Sequence, residues 1–276
     1  MKRATRIIST ALLTFGVFVC AAADTRLEPN ARWSLEFPEL PDTLATMSSG
    51  QTQPARLTVR LPENYSRDGK FPLFVFLNGG DGGRGDTLPL DRRTVGSNDF
   101  ICVNLPLFKR TFDKQVGGLV SVDDFETISH AYRTMLQKLL DTVSNITPER
   151  STFSGFSNGA HALGLLLAGR DEFILSHFKS FCFVEGGSPL AANGLQSPRL
   201  KQCRFLLLRA DRSEPEREGR AFTHVTRALE DLARERELDF TVVTMRNTGH
   251  ELPPKYQALL GAWVRGETIP DPHAKN

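Results

Sequence analysis

The sequence predicts an α/β protein, with a mostly parallel sheet covered by helices on both faces, in a single domain. Three observations carry this. The run Phe71–Leu77, FPLFVFL, is apolar without alternation, which suits a strand buried on both faces of a parallel sheet. Four more strand-like apolar runs, Phe100–Leu105, Lys179–Val184, Arg204–Arg209 and Phe240–Met245, follow it, and stretches of helical period lie between them. The 276 residues contain no repeat and no change of composition that would mark a second domain, and they suffice for one sizeable core.

The amino terminus has the three-part layout of a secretory signal peptide. Lys2, Arg3 and Arg6 are followed by the apolar run Ile7–Cys20 and then by Ala21-Ala22-Ala23. Cleavage is expected after Ala23, leaving a domain of residues 24–276. A membrane span needs about 20 apolar residues, more than this run offers. Cys20 is a poor lipoprotein cysteine because bulky Val19 precedes it. Residues 1–23 contain three basic and no acidic side chains, so their removal takes the formal charge from +2 to −1. A nearly neutral chain gives no electrostatic reason to expect nucleic acid or an anionic membrane as partner. Cys102, Cys182 and Cys203 sit in apolar, strand-like runs without a second ligand at metal spacing, so buried thiols are expected rather than a zinc site. Export would permit a disulfide between two of the three.

The elements follow in order. Trp33–Phe37 alternates within a loop-like segment and reads as an edge strand. Ala55–Leu61, ARLTVRL, is a half-buried strand, with a turn from Pro62 to Lys70 before the buried strand at Phe71. A helix is expected over about 123–143, where Phe125, Ile128, Tyr132, Met135, Leu139 and Val143 recur every three or four residues. Ser121 and two aspartates supply its cap and negative charge. A second helix is expected over about 217–236, with Phe222, Val225, Leu229 and Leu232 inward. A last one begins at Pro253-Pro254, with Tyr256, Leu259, Leu260 and Trp263 inward.

Two glycine-rich segments carry the chemistry. Gly80-Asp81-Gly82-Gly83-Arg84-Gly85 fits a dinucleotide fingerprint by spacing, but Thr87-Leu88-Pro89-Leu90 follows where a helix would have to open on the pyrophosphate. The same glycines can let backbone N–H groups approach a substrate carbonyl as half of an oxyanion hole. Arg84-Gly85-Asp86 is treated as coincidence. Gly155-Phe156-Ser157-Asn158-Gly159 lies between an apolar strand-like run and an apolar helix-like run, the pattern of a nucleophile elbow. A serine hydroxyl is a weak nucleophile, so it must be held exposed beside a base and beside donors for the oxyanion. Side chains at Gly155 and Gly159 would crowd the backbone where the strand reverses into the helix.

An acid and then a histidine base should follow the serine along the chain, each on a loop after a strand. His250 alone among the downstream histidines lies in a short loop just after an expected strand. His161 falls in the serine's own helix, and His177, His224 and His273 lie in helical, polar or tail segments. For the acid, Asp211 and Glu214 both follow the strand Arg204–Arg209, Asp211 the nearer to its end. Glu185, after the preceding strand, ranks third.

Pro148-Glu149-Arg150 leading to the elbow, the pairing of Leu61-Pro62-Glu63-Asn64-Tyr65 with Phe71–Gly80, and Gly249-His250 resemble secreted α/β-hydrolase esterases of the polyhydroxybutyrate-depolymerase and feruloyl-esterase type. The resemblance covers about residues 55 to 265. It implies an α/β-hydrolase fold, a serine-hydrolase mechanism, small-molecule or polymeric carboxylic ester substrates, and no metal or organic cofactor. It maps Ser157 to the nucleophile, His250 to the base, and Asn158 and Gly80 to the oxyanion donors, and it places the usual acid close to Glu214. Asn78 stands where many relatives carry histidine, and Ala210 and Ser213 replace two positions of the usual acid segment. A non-catalytic binding protein on this scaffold and a serine peptidase are the alternatives.

Overall fold

The computed structural model describes residues 25–88, 90–112, 124–187, 197–212 and 220–269. The expected signal peptide and Glu214 lie outside them. Eight strands form one sheet: β1 (Arg32–Phe37), β2 (Ala55–Arg60), β3 (Phe71–Leu77), β4 (Ile101–Leu105), β5 (Ile146–Phe156), β6 (Ser180–Val184), β7 (Arg204–Ala210) and β8 (Asp239–Met245). Their order across the sheet is β1-β2-β4-β3-β5-β6-β7-β8. β2 runs antiparallel to both β1 and β4, and every pairing from β4 through β8 is parallel. The expected α/β architecture is therefore present, with Trp33–Phe37 inside the edge strand.

The period-2 geometry of strands divides the apolar runs between two layers. From β3, Leu73, Val75 and Leu77 enter one core, with Phe153, Phe181, Phe183, Phe205 and Leu207 of neighbouring strands. Phe74 and Phe76 point the other way, joining Cys182, Val184, Leu206 and Leu208 in the second core. This is why the run shows no alternation: both faces are buried, and all seven β3 residues lie out of solvent.

Helices α1 (Leu44–Ser49), α2 (Asp91–Val95), α3 (Phe125–Thr142), α4 (Asn158–Ala168), α5 (Glu172–His177), α6 (Arg220–Glu235) and α7 (Pro254–Arg265) complete the described residues. Residues of α3, α4 and α5 build the first core, and Tyr256, Leu259, Leu260 and Trp263 of α7 build the second. α3 is capped by Asp124, whose carboxylate accepts the Thr127 N–H; Ser121 and Asp123, expected at this cap, lie outside the described residues. The inward face of α6 is described at Leu229, which is fully buried, while the side chains of Phe222 and Val225 are outside the description.

Cys102, Cys182 and Cys203 are buried and unbridged, so none of the permitted disulfides is formed. Burial pushes the Cys102 thiol up to about 12 and raises Cys182 and Cys203 as well. Among the described residues no helix is long and apolar enough to cross a membrane.

Candidate active site

Ser157 stands between the end of β5 and the start of α4 with φ 52° and ψ −118°. A side-chain-bearing residue in this region costs on the order of 1–3 kcal/mol, and the surroundings hold it there. Its N–H donates to Val184 O at 2.8 Å, and its carbonyl accepts the His161 N–H at 2.9 Å. The glycines on either side leave no room for anything larger. A Cβ at Gly155 would lie 2.4 Å from the Gly159 carbonyl carbon, and one at Gly159 would lie 2.3 Å from Leu77 O. The steric reason for the elbow pattern is thus visible at both positions.

The Ser157 hydroxyl lies 2.8 Å from His250 Nε2, although 93 residues separate the two along the chain. His250 comes from the loop after β8, and its ring packs on Phe156 with centroids 5.0 Å apart. Its other nitrogen, Nδ1, is 3.3 Å from Glu185 Oε2. Glu185 follows β6, has φ 51°, and its side chain is 1% exposed. Its second oxygen accepts the Ala210 N–H at the end of β7. Serine, imidazole and carboxylate therefore form one connected chain.

The carboxylate in that chain is neither of the two the sequence favours. Asp211 follows β7 as expected, but its Oδ1 accepts the Thr248 N–H at 3.1 Å. The Asn247 N–H, and then Thr248, hold its carboxyl below the usual range. Next to it, Arg212 N–H donates to Thr248 O and its guanidinium reaches Asn247 Oδ1 at 2.7 Å. Asp211 and Arg212 thus clamp the loop that carries His250, and the acid beside the imidazole arrives one strand earlier. The signal for Glu185 was short: an ionisable residue directly after the wholly buried SFCFV, followed by two glycines that allow a tight turn.

The glycine loop after β3 lies against the elbow. A Cβ on Gly79 would stand 2.7 Å from the Phe156 ring and 3.1 Å from Ser157 Cβ. Gly80 has φ 62°, and its carbonyl accepts from Asn158 Nδ2 at 2.8 Å, so the two expected oxyanion residues are brought together. Asn78 donates through Nδ2 to Asn104 Oδ1 at 3.2 Å, which ties the start of this loop to β4. Among the described residues the next helix after these glycines, α2, begins at Asp91. Among the described residues no group of three or more metal-ligating side chains is assembled.

An eight-stranded, mostly parallel sheet with a serine elbow after β5 and a histidine loop after β8 defines the α/β-hydrolase fold. No family model matches the chain, and no curated protein does. Solved structures do share the fold. A thermostable esterase superposes with a TM-score of 0.50 at 14% identity over 85% of this chain, which covers 59% of that longer protein. A fungal esterase of Rhizomucor miehei gives 0.53 at 14% identity, covering 87% of this chain and 84% of its own. A feruloyl esterase module from Clostridium thermocellum, solved with sinapinate, gives 0.52 at 13% identity, covering 92% and 95%.

Proposed function

We propose that this chain is a serine hydrolase of carboxylic esters, with Ser157 as nucleophile, His250 as general base and then acid, and Glu185 as the triad acid. The observation that carries the reading is the continuous contact from Ser157 Oγ through the two nitrogens of His250 to Glu185. A carboxylate only accepts, so Glu185 fixes the imidazole with its proton on Nδ1 and leaves Nε2 to take the Ser157 proton. Attack on the ester carbonyl then builds an oxyanion in front of two backbone donors, Asn158 at the first turn of α4 and Gly80 in the glycine loop. The imidazolium returns its proton to the leaving alcohol as the acyl-enzyme forms, and water repeats the cycle to release the acid.

Esters are preferred over peptides because the solved structures superposed above are esterases by description and because the segment from Pro148 to Gly159 resembles feruloyl-esterase-type sequences. The arrangement of residues 1–23 supports export, so the substrate would be met outside the cytoplasm as a small molecule or a polymer. The test uses purified mature protein, a fluorophosphonate probe and a panel of nitrophenyl esters and peptide anilides. Stoichiometric labelling of Ser157, ester turnover, and loss of both in a folded Ser157→Ala variant are expected. Absence of labelling and turnover in the wild type would sink the proposal and leave a binding protein on this scaffold. Turnover confined to the anilides would make the chain a peptidase.

A further inference from the structure

The turn that carries Glu185 is seated on the first two turns of α4. A Cβ at Gly186 would lie 2.6 Å from Ser157 O and 2.7 Å from Ala160 Cβ, and one at Gly164 would lie 3.2 Å from Gly187 O. Only glycine lets backbone and helix come this close, and Gly187 also has φ 105°. Glu185 N–H at the start of the turn donates to Leu208 O at 2.9 Å, and at its other end Gly187 N–H donates to His161 Nδ1 at 3.4 Å, tying the turn to α4. His161 is also bound to the elbow, since its own N–H meets the Ser157 carbonyl.

We infer that His161 is a positioning residue that fixes the Glu185 turn relative to Ser157, so that the carboxylate meets His250 in register. The inference rests on the hydrolase reading given above. His161 does this as a neutral ring, because a protonated Nδ1 could not accept. Burial first, and the neighbouring charge of His250 second, lower its pKa to about 4. The sequence pattern is compact: a histidine four residues after the serine reaches the second glycine of Glu185-Gly186-Gly187.

The experiment compares His161→Leu, which cannot accept a hydrogen bond, with His161→Asn, whose Oδ1 falls near the place of Nδ1. For His161→Leu, kcat on a nitrophenyl ester should fall roughly 10- to 100-fold with little change in KM, because a small misplacement of the acid weakens only the transition state. His161→Asn should recover most of that loss. On a Glu185→Gln background, His161→Leu should add less than about 3-fold, because the charge it positions is gone. His161→Gln, whose amide sits one methylene further out, replaces the leucine variant if that does not fold. Equal losses in the leucine and asparagine variants, a loss carried by KM, or full additivity with Glu185→Gln would each overturn the inference. An unlabelled, inactive wild type would instead overturn the hydrolase reading and this inference with it.

Discussion

Replacing Glu185 by glutamine keeps the shape of the side chain and one acceptor oxygen, and removes the charge. The magnitude follows from the geometry. When His250 takes the serine proton it becomes a cation whose Nδ1 is 3.3 Å from Glu185 Oε2. Unit charges at that distance attract by about 5 kcal/mol at an effective dielectric of about 20. The positive charge is spread over the ring, and the imidazole is 36% exposed, so solvent screens part of this. A net loss of about 3–4 kcal/mol of transition-state stabilisation corresponds to a fall in kcat of roughly 100- to 1000-fold. Initial rates on a short-chain nitrophenyl ester measure it, with thermal melts to show that the variant is folded. Asp211→Asn is the companion, and it should cost far less, because it loosens the histidine loop and leaves the carboxylate beside Nδ1 in place. Glu185→Gln activity within about 5-fold of wild type, or an Asp211→Asn loss as deep as that of Glu185→Gln, would refute the assignment of the acid.

Gly159→Ala should lower the melting temperature by several degrees or prevent folding, since its Cβ would stand 2.3 Å from the Leu77 carbonyl oxygen; overpacking of this kind costs about 1–3 kcal/mol. Asp211 has a folded pKa below its ordinary value, so its contribution is present above the unfolded carboxyl pKa and is lost as pH falls through the lower folded one. Melts in acid should therefore show a steeper decline for wild type than for Asp211→Asn. His161 runs in the same direction for a different reason: it is a base whose folded pKa is depressed by burial. Between its ordinary 6.5 and about 4 the unfolded chain takes up the proton first, so stability should drop across that window in wild type and not in His161→Asn. Cys102, Cys182 and Cys203 should resist maleimide in the native protein and react in denaturant, which mass spectrometry of the labelled chain reads directly.

The sheet was legible because its central strands are buried on both sides and read as unbroken apolar runs, β3 most plainly. Ser157 and His250 were legible because each falls at a strand end with few rivals. The short helices α1, α2 and α5 were not, since five or six residues are too few to show a period. Glu185 ranked behind Asp211 and Glu214 for a different reason. Nothing in the sequence tells from which of two adjacent strands, β6 or β7, a carboxylate reaches the imidazole, and that depends on which backbone donors claim each acid. Asp211 is taken by the Thr248 N–H, a contact between residues 37 apart that no local pattern announces.

With the acid on β6, Glu185 and Ser157 stand on adjoining central strands, and the third member of the proposed triad is delivered by the outermost strand, β8, and the loop clamped to it. Edge strands open at lower free energy than central ones. Mild denaturant should thus extinguish turnover by detaching His250 while the interior remains intact, so that catalysis reports on the fraying of one margin of the sheet before any global probe responds.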